Sequence, residues 1–506
     1  MIGSLVERIR ARDATLWGAP GTPEIANRLG WLDLPETMRA EVDGLAAFAD
    51  EVRGTFDRVV LCGMGGSSLA PEVLWRTFGK REGYPSLHLL DTTHPDSIAA
   101  VADSPASRAS TAPEDLFVIA SKSGTTIETT SLFRLFWQRS GGDGSRFVAI
   151  TDPGTPLAEA ARAKGFRRVF SAPPDVGGRF SALSVFGLVP AALIGIDVGE
   201  VLARARFAAA ACRRAEPTNF WLRIGRRMGE AALEGRDKLT FLLSPRLDGL
   251  GLWLEQLIAE STGKRGRGIL PVIGERPDQL GRYGGDRLFV RIGVLNDPMA
   301  EDDQDLGALD QAGHPVLRTD LDDMFDLGAQ IFGWEFATAV AGHLLGVNPF
   351  DQPDVAESKR NTERVLGAGG RSVAEGTPAD VQRLLDGLNP GDYLAVQAFV
   401  PGTAENGKRL RRLQRALRHR TGAAVTVGYG PRYLHSTGQL HKGGPRSGHF
   451  LQILERPAQD YEIPGAPYTF GRLLAAQADG DLEALTARGR PVVRVVGWRA
   501  LEEYGS

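Results

Sequence analysis

Cysteine is nearly absent from this chain. There are two in 506 residues, Cys62 and Cys212, which excludes a disulfide framework. Cys62 lies in an apolar run and reads as a small buried hydrophobe. A charge excess is missing too: 59 basic against 62 acidic residues gives a net −3. That leaves no electrostatic footprint for nucleic acid or an anionic membrane. Long hydrophobic runs are also missing. The best uncharged stretch, 181–196, contains Pro190 and two glycines and is bracketed by Arg179 and Asp197. It falls short of the roughly 20 residues a spanning helix needs and reads as a buried core helix. The first twelve residues mix apolar and charged side chains and lack the apolar centre of a signal peptide, so a cytoplasmic protein is expected. No GxxxxGK[ST] loop is present, which argues against a nucleoside triphosphate. Histidines and carboxylates do not cluster at metal-ligand spacing; His435 and His441, six apart, fit one helical face poorly. Neither a metal nor a redox cofactor is implied.

What the chain does have is two short loops rich in glycine and hydroxyls, each following an apolar strand. The first to stand out is Ser121-Lys122-Ser123-Gly124-Thr125-Thr126-Ile127-Glu128-Thr129. Before it, 115–120 reads as a buried strand; after it, 131–137 has a helical pattern. At such a junction open backbone N–H groups and the helix dipole favour an anion. Thr125 and Glu128 also fit a capping box. A cap needs one hydroxyl, whereas Ser121, Ser123, Thr125 and Thr126 supply four, so a monophosphate is the better ligand. The second loop, Gly63-Met64-Gly65-Gly66-Ser67-Ser68, follows the strand 58–62 and precedes a helical 69–75. It fits G-x-G-x-x-G poorly, because Ser68 stands where the last glycine belongs. Asp91, ending the next strand, could mimic a ribose contact, and a dinucleotide is the competing reading. Two such turns after successive parallel strands suit a sugar phosphate better, one holding the phosphate and the other the polyol.

The class is α/β. Residues 1–50 read as a polar helical extension. Strands at 58–62, 86–91, 115–120 and 146–150, alternating with helices, predict a doubly wound parallel sheet over 51–200. A second unit over 201–366 has strands near 237–243, 268–272, 287–294 and 315–319 and a closing helix at about 322–345. Residues 367–380 read as a linker. A third α/β unit, 381–506, has strands at 393–399, 425–428, 450–454 and 492–496. Its basic helix, 406–420, carries Leu410, Leu413 and Leu417 on one face. A membrane or RNA contact is conceivable there, but a solvated outer helix suits the near-neutral chain better.

The two loops together resemble the paired signatures of sugar isomerase domains. Three further blocks sharpen the resemblance to the glucose-6-phosphate isomerase family: Gly177-Gly178-Arg179-Phe180-Ser181, Gln256-Leu257-Ile258-Ala259-Glu260-Ser261-Thr262-Gly263-Lys264, and Asn348-Pro349-Phe350-Asp351-Gln352-Pro353 with Lys359 shortly after. They stand in the family's order across roughly 50–365. The segment from Arg432 to Pro445 is similar to the C-terminal region of fused transaldolase–glucose-6-phosphate isomerases. A transaldolase barrel takes roughly 250 residues, and only about 50 precede the first sheet, so that activity is not expected.

Aldose–ketose isomerisation moves a proton between C1 and C2 through an enediolate. It needs a base, donors or positive charge at the developing oxyanion, and a group to open the ring; none of these requires a metal. The resemblance implies Glu260 as the base, Arg179 as the enediolate stabiliser and Lys359 as an aid to ring opening. It implies Gly66, Ser67, Ser121, Ser123, Thr125, Thr126, Gln256 and Gln352 as substrate contacts. Family members place a ring-opening histidine soon after the glutamate, and none follows Glu260 here. His435, within His435-Ser436-Thr437-Gly438-Gln439, is the best local match, acting within the chain or across a homodimer interface. His441 is the runner-up. The expected function is interconversion of glucose 6-phosphate and fructose 6-phosphate. A non-catalytic phosphosugar sensor and an isomerase of another phosphosugar are the alternatives.

Overall fold

The computed structural model describes residues 4–103, 115–215, 217–275, 283–295, 300–368 and 375–505, with the side chains of 300–305, 354–359 and 368 excepted. Three parallel sheets organise it. The first contains β1 (Arg58–Gly63), β2 (Ser86–Leu90), β3 (Asp115–Ala120), β4 (Phe147–Thr151) and β5 (Arg168–Ser171), in the order β2-β1-β3-β4-β5. Strands β1, β3 and β4 are buried along their whole length, as a sheet covered on both faces requires. β5 escapes the sequence pattern because it is a four-residue edge strand with exposed ends. β1 lies between β2 and β3, and Gly63 pairs with Ala120. The loops after β1 and β3 therefore leave the sheet side by side at its switch point, where ligands of open α/β sheets bind.

The other two sheets repeat the plan. The second has β6 (Lys238–Leu243), β7 (Leu270–Val272), β8 (Arg287–Val294) and β9 (Val316–Leu321), ordered β7-β6-β8-β9. The third has β10 (Tyr393–Phe399), β11 (Ala424–Tyr429), β12 (Gly448–Leu454) and β13 (Val492–Val496), ordered β11-β10-β12-β13.

Helices follow the apolar patterning. Val185–Leu193, within the uncharged run, is buried at every residue, and no described helix is long and apolar enough to cross a membrane. The basic helix, Ala404–Thr421, buries Leu410, Leu413 and Leu417 against the third sheet. The amino-terminal segment packs rather than dangles. Trp17 Nε1 donates to the carbonyl of Ala339 at 2.8 Å, and Trp31 packs on Phe180 and Phe332. One core cluster thus joins this segment to the first two sheets. The 367–380 stretch is less of a linker than expected. Residues 369–374 lie outside the described residues, but the helix Pro353–Ala368 runs into its start. The helix Pro378–Asp386, capped by Thr377, opens its end.

Glu335, in the long buried helix Leu327–Leu345, has no hydrogen-bond partner at either carboxyl oxygen among the described residues. Burial raises its pKa well above the ordinary value, so the folded chain holds this proton after the unfolded chain has released it. Stability therefore falls as pH rises above the unfolded pKa of about 4.3, by up to about 1.4 kcal/mol per pH unit until the folded pKa is reached. Glu335→Met removes the acid while keeping the volume, and its gain in apparent Tm should be larger at pH 8 than at pH 5. An equal gain at both would show that Glu335 ionises freely in the fold.

Candidate active site

The site is assembled from the two loops, the end of one helix and a turn of the third unit. The helix Asp248–Thr262 is buried from Gly249 onward, apart from a partly covered Leu252. Gln256 and Glu260, one turn apart, project together. Gln256 Nε2 donates to Glu260 Oε2 at 3.2 Å and to the carbonyl of His435 at 2.8 Å. The β1 loop is wedged against this pair. Gly65 has φ +57°, and a Cβ there would fall 2.6 Å from Gln256 Nε2; at Gly66 it would fall 2.0 Å from the carbonyl oxygen of Gly178. Side chains are excluded at both positions by contact, and at Gly65 by backbone geometry as well.

Arg179 is buried opposite Glu260, with Nη1 3.3 Å from Glu260 Oε1. Its other nitrogens donate to Ser261 Oγ at 2.9 Å and to the carbonyls of Pro349, at 2.5 Å from Nη2, and Asp351, at 2.7 Å. The guanidinium thus binds the Glu260 carboxylate and pins the 348–351 turn, a task its planar fork suits. Burial raises the pKa of Glu260, and the charges of Arg179, Lys264 and His435 hold it back. A carboxylate so balanced has its basicity lifted toward the working range.

Lys264 received no role from sequence. It is buried, donates to the carbonyl of Asn348 and meets Asp351 Oδ1 at 2.8 Å. Burial, with Arg179 nearby, lowers its pKa to about 7. Arg179 and Lys264 clamp the same turn from two sides. Gln352, next in the chain, is exposed. Lys359 falls on the helix Pro353–Ala368, and its side chain lies outside the described residues.

In the β3 loop the hydroxyls pair off: Ser121 with Thr126 at 2.9 Å, and Ser123 with Thr125 at 3.0 Å. Gly124 N–H donates to Ser121 Oγ at 3.1 Å. Thr126 caps the helix Ile127–Arg139 without a side-chain bond, so the capping box expected from Thr125 and Glu128 does not form. Glu128 is instead buried against the third unit, where its Oε1 meets His435 Nε2 at 2.9 Å and accepts from Gln477 Nε2 at 2.7 Å. An anion bound at this helix start would sit beside a second negative charge, that of Glu128, which hydrogen-bond donors then have to offset. That conflict was the available signal for a role beyond capping.

Asp91 does not present a free carboxylate to a ribose. It is buried and engaged by Arg432 and Ser68, which removes the support for a dinucleotide. Ser67 is buried in the β1 loop. His441 sits among Tyr393, Tyr433 and Phe450, where burial lowers its pKa to about 3. It is neutral at ordinary pH and ill suited to donate a proton.

The sequence model of the family described as Phosphoglucose isomerase matches residues 36–265. A glucose-6-phosphate isomerase of Heliobacterium modesticaldum is 33% identical over 403 residues, covering 67% of this chain and 88% of the relative. The chain belongs to the phosphoglucose isomerase family. It is therefore an enzyme, an isomerase. A glucose-6-phosphate isomerase of Symbiobacterium thermophilum is 31% identical over 398 residues, covering 67% of this chain and 87% of that protein. Among solved structures, a hypothetical protein of Thermus thermophilus aligns with a TM-score of 0.63 at 28% identity, covering 72% of this chain and 95% of its own. A glucose-6-phosphate isomerase of Chlamydia trachomatis aligns with a TM-score of 0.59 at 21% identity, covering 72% and 84%, and shares the fold.

Proposed function

We propose that this isomerase interconverts glucose 6-phosphate and fructose 6-phosphate, as a cytoplasmic enzyme of glycolysis and gluconeogenesis. The observation that carries the reading is the buried Glu260–Arg179 pair, 3.3 Å apart, with Gln256 bridging Glu260 to the His435 turn. Glu260 takes the proton from C2 of the aldose and returns it to C1 of the ketose, or the reverse. Arg179 stabilises the negative charge that develops on the enediolate oxygen without losing its own. The hydroxyls of Ser121, Ser123, Thr125 and Thr126 hold the phosphate at the start of their helix. Gly66, Ser67, Gln256 and Gln352 line the sugar, and Lys359 assists ring opening. His435 passes the ring proton, oriented by Glu128. Gln256 joins Glu260 to the backbone carbonyl of His435 within one chain, which supports His435 acting from the same chain.

A coupled assay with fructose 6-phosphate, with mannose 6-phosphate alongside, tests the assignment. Rapid turnover of the first and little of the second is expected; the reverse would make this an isomerase of another phosphosugar. Inhibitor binding without turnover of either would favour a sensor. Phosphate recognition has its own test. Changing Thr125 and Thr126 to Val should weaken binding of a phosphorylated sugar acid by roughly ten- to a hundredfold, the loss expected for hydrogen bonds to a charged group. Unchanged affinity by calorimetry in the folded variant would put the phosphate elsewhere.

A further inference from the structure

We infer that Arg432 is the positioning residue that sets His435 over the substrate. The inference rests on His435 as the ring-opening group and adds what holds it there. Arg432 and His435 are the two ends of one 3-10 turn, Arg432–His435, and residues three apart in such a turn stand over one another. The turn follows β11 in the third unit, yet both ends are fastened to the first. Arg432 meets Asp91 through two nitrogens, Nε at 2.6 Å from Oδ2 and Nη2 at 2.9 Å from Oδ1, and its Nη2 lies 3.0 Å from Glu72 Oε2. Asp91 directly follows β2, and Glu72 lies in the helix Leu69–Phe78 that follows the β1 loop. Both carboxylates are buried. Ser68 Oγ donates to Asp91 Oδ2 at 3.2 Å, so the anchor of Arg432 is also tied to the loop assigned to the sugar.

A two-pronged contact fixes orientation as well as distance, which a single charge would not. Burial acts against the Arg432 charge, but Asp91 and Glu72 raise its pKa above the ordinary value, so the guanidinium stays charged. At the other end of the turn, Glu128 holds the imidazole while Gln477, itself bonded by Thr93 at 2.7 Å, holds Glu128. The ring is thereby fixed through its own nitrogen and through the backbone that carries it.

Arg432→Lys keeps the charge and loses the fork. It should lower turnover of fructose 6-phosphate by roughly ten- to a hundredfold, as expected when a reacting group is misplaced by about 1 Å. It should spare proton exchange on 5-deoxyfructose 6-phosphate, which has no 5-hydroxyl to close a ring. Combined with His435→Asn it should add nothing to the loss from His435→Asn alone. Multiplying effects in the double variant, or equal losses on both substrates, would overturn the role of Arg432 and leave that of His435 standing. Full activity of His435→Asn on the cyclic substrate would overturn both. Circular dichroism and apparent Tm check the fold; if Arg432→Lys does not fold, Glu72→Gln, which leaves the Asp91 contact, should show the same pattern at smaller size.

Discussion

Glu260→Gln should bind substrate and hardly turn it over. The side chain keeps its shape, and its amide oxygen can still accept from Gln256, now at 3.2 Å from Glu260 Oε2, but it cannot take a proton from carbon. Loss of a positioned base costs about 10²–10⁴ in rate. Affinity for a phosphorylated sugar acid should change by only a few-fold, because the β3 loop proposed to hold the phosphate lies in a different unit from the helix end. Exchange of the C2 proton with D2O, followed by NMR, should vanish in step with turnover. Retention of either would assign the base elsewhere.

Arg179→Met should lose about 10²–10³ in turnover, the range seen when one preorganised donor to an oxyanion is removed, and its pH profile should move as well. Arg179 is the first of the charges that hold down the burial-raised pKa of Glu260. Without it the carboxyl releases its proton only at higher pH, so the acid limb of kcat/KM should shift toward alkaline pH. Arg179→Lys keeps a charge near Glu260 but cannot reach Pro349, Asp351 and Ser261 together. It should shift the limb less while still lowering kcat. An unmoved limb in Arg179→Met would separate Arg179 from the tuning of the base.

The parts of this molecule that were legible in the sequence are those governed by local pattern. β1 and β3 are continuous apolar runs because both their faces are covered, and their following loops betray themselves by glycine and hydroxyl content. Gln256 and Glu260 announce a shared helical face by their spacing. What escaped depends on pairings across hundreds of residues. Glu128 looked like half of a capping box, since the next residues are helical; only the fold brings His435 and Gln477 to it. Arg432 opened a recognised segment but had no role of its own until Asp91 and Glu72 were set beside it. Lys264 was inside a recognised block, but its lowered pKa comes from burial against Arg179, which spacing does not reveal. β5 failed for the opposite reason, being too short and too exposed to leave any period.

The link between Glu128 and His435 spans 307 positions, and this sets a schedule for the chain's birth on the ribosome. At about 5–20 residues per second, roughly 15–60 s separate the synthesis of these two residues. By the end of that interval the first two sheets, with the β3 loop, Arg179 and Glu260, have been made and can fold. The nascent protein then holds Glu260, Arg179 and the β3 loop but lacks His435; on the roles proposed for these residues it would capture open-chain sugar phosphates and fail to open rings. A message cut short before codon 435 would leave the same product permanently.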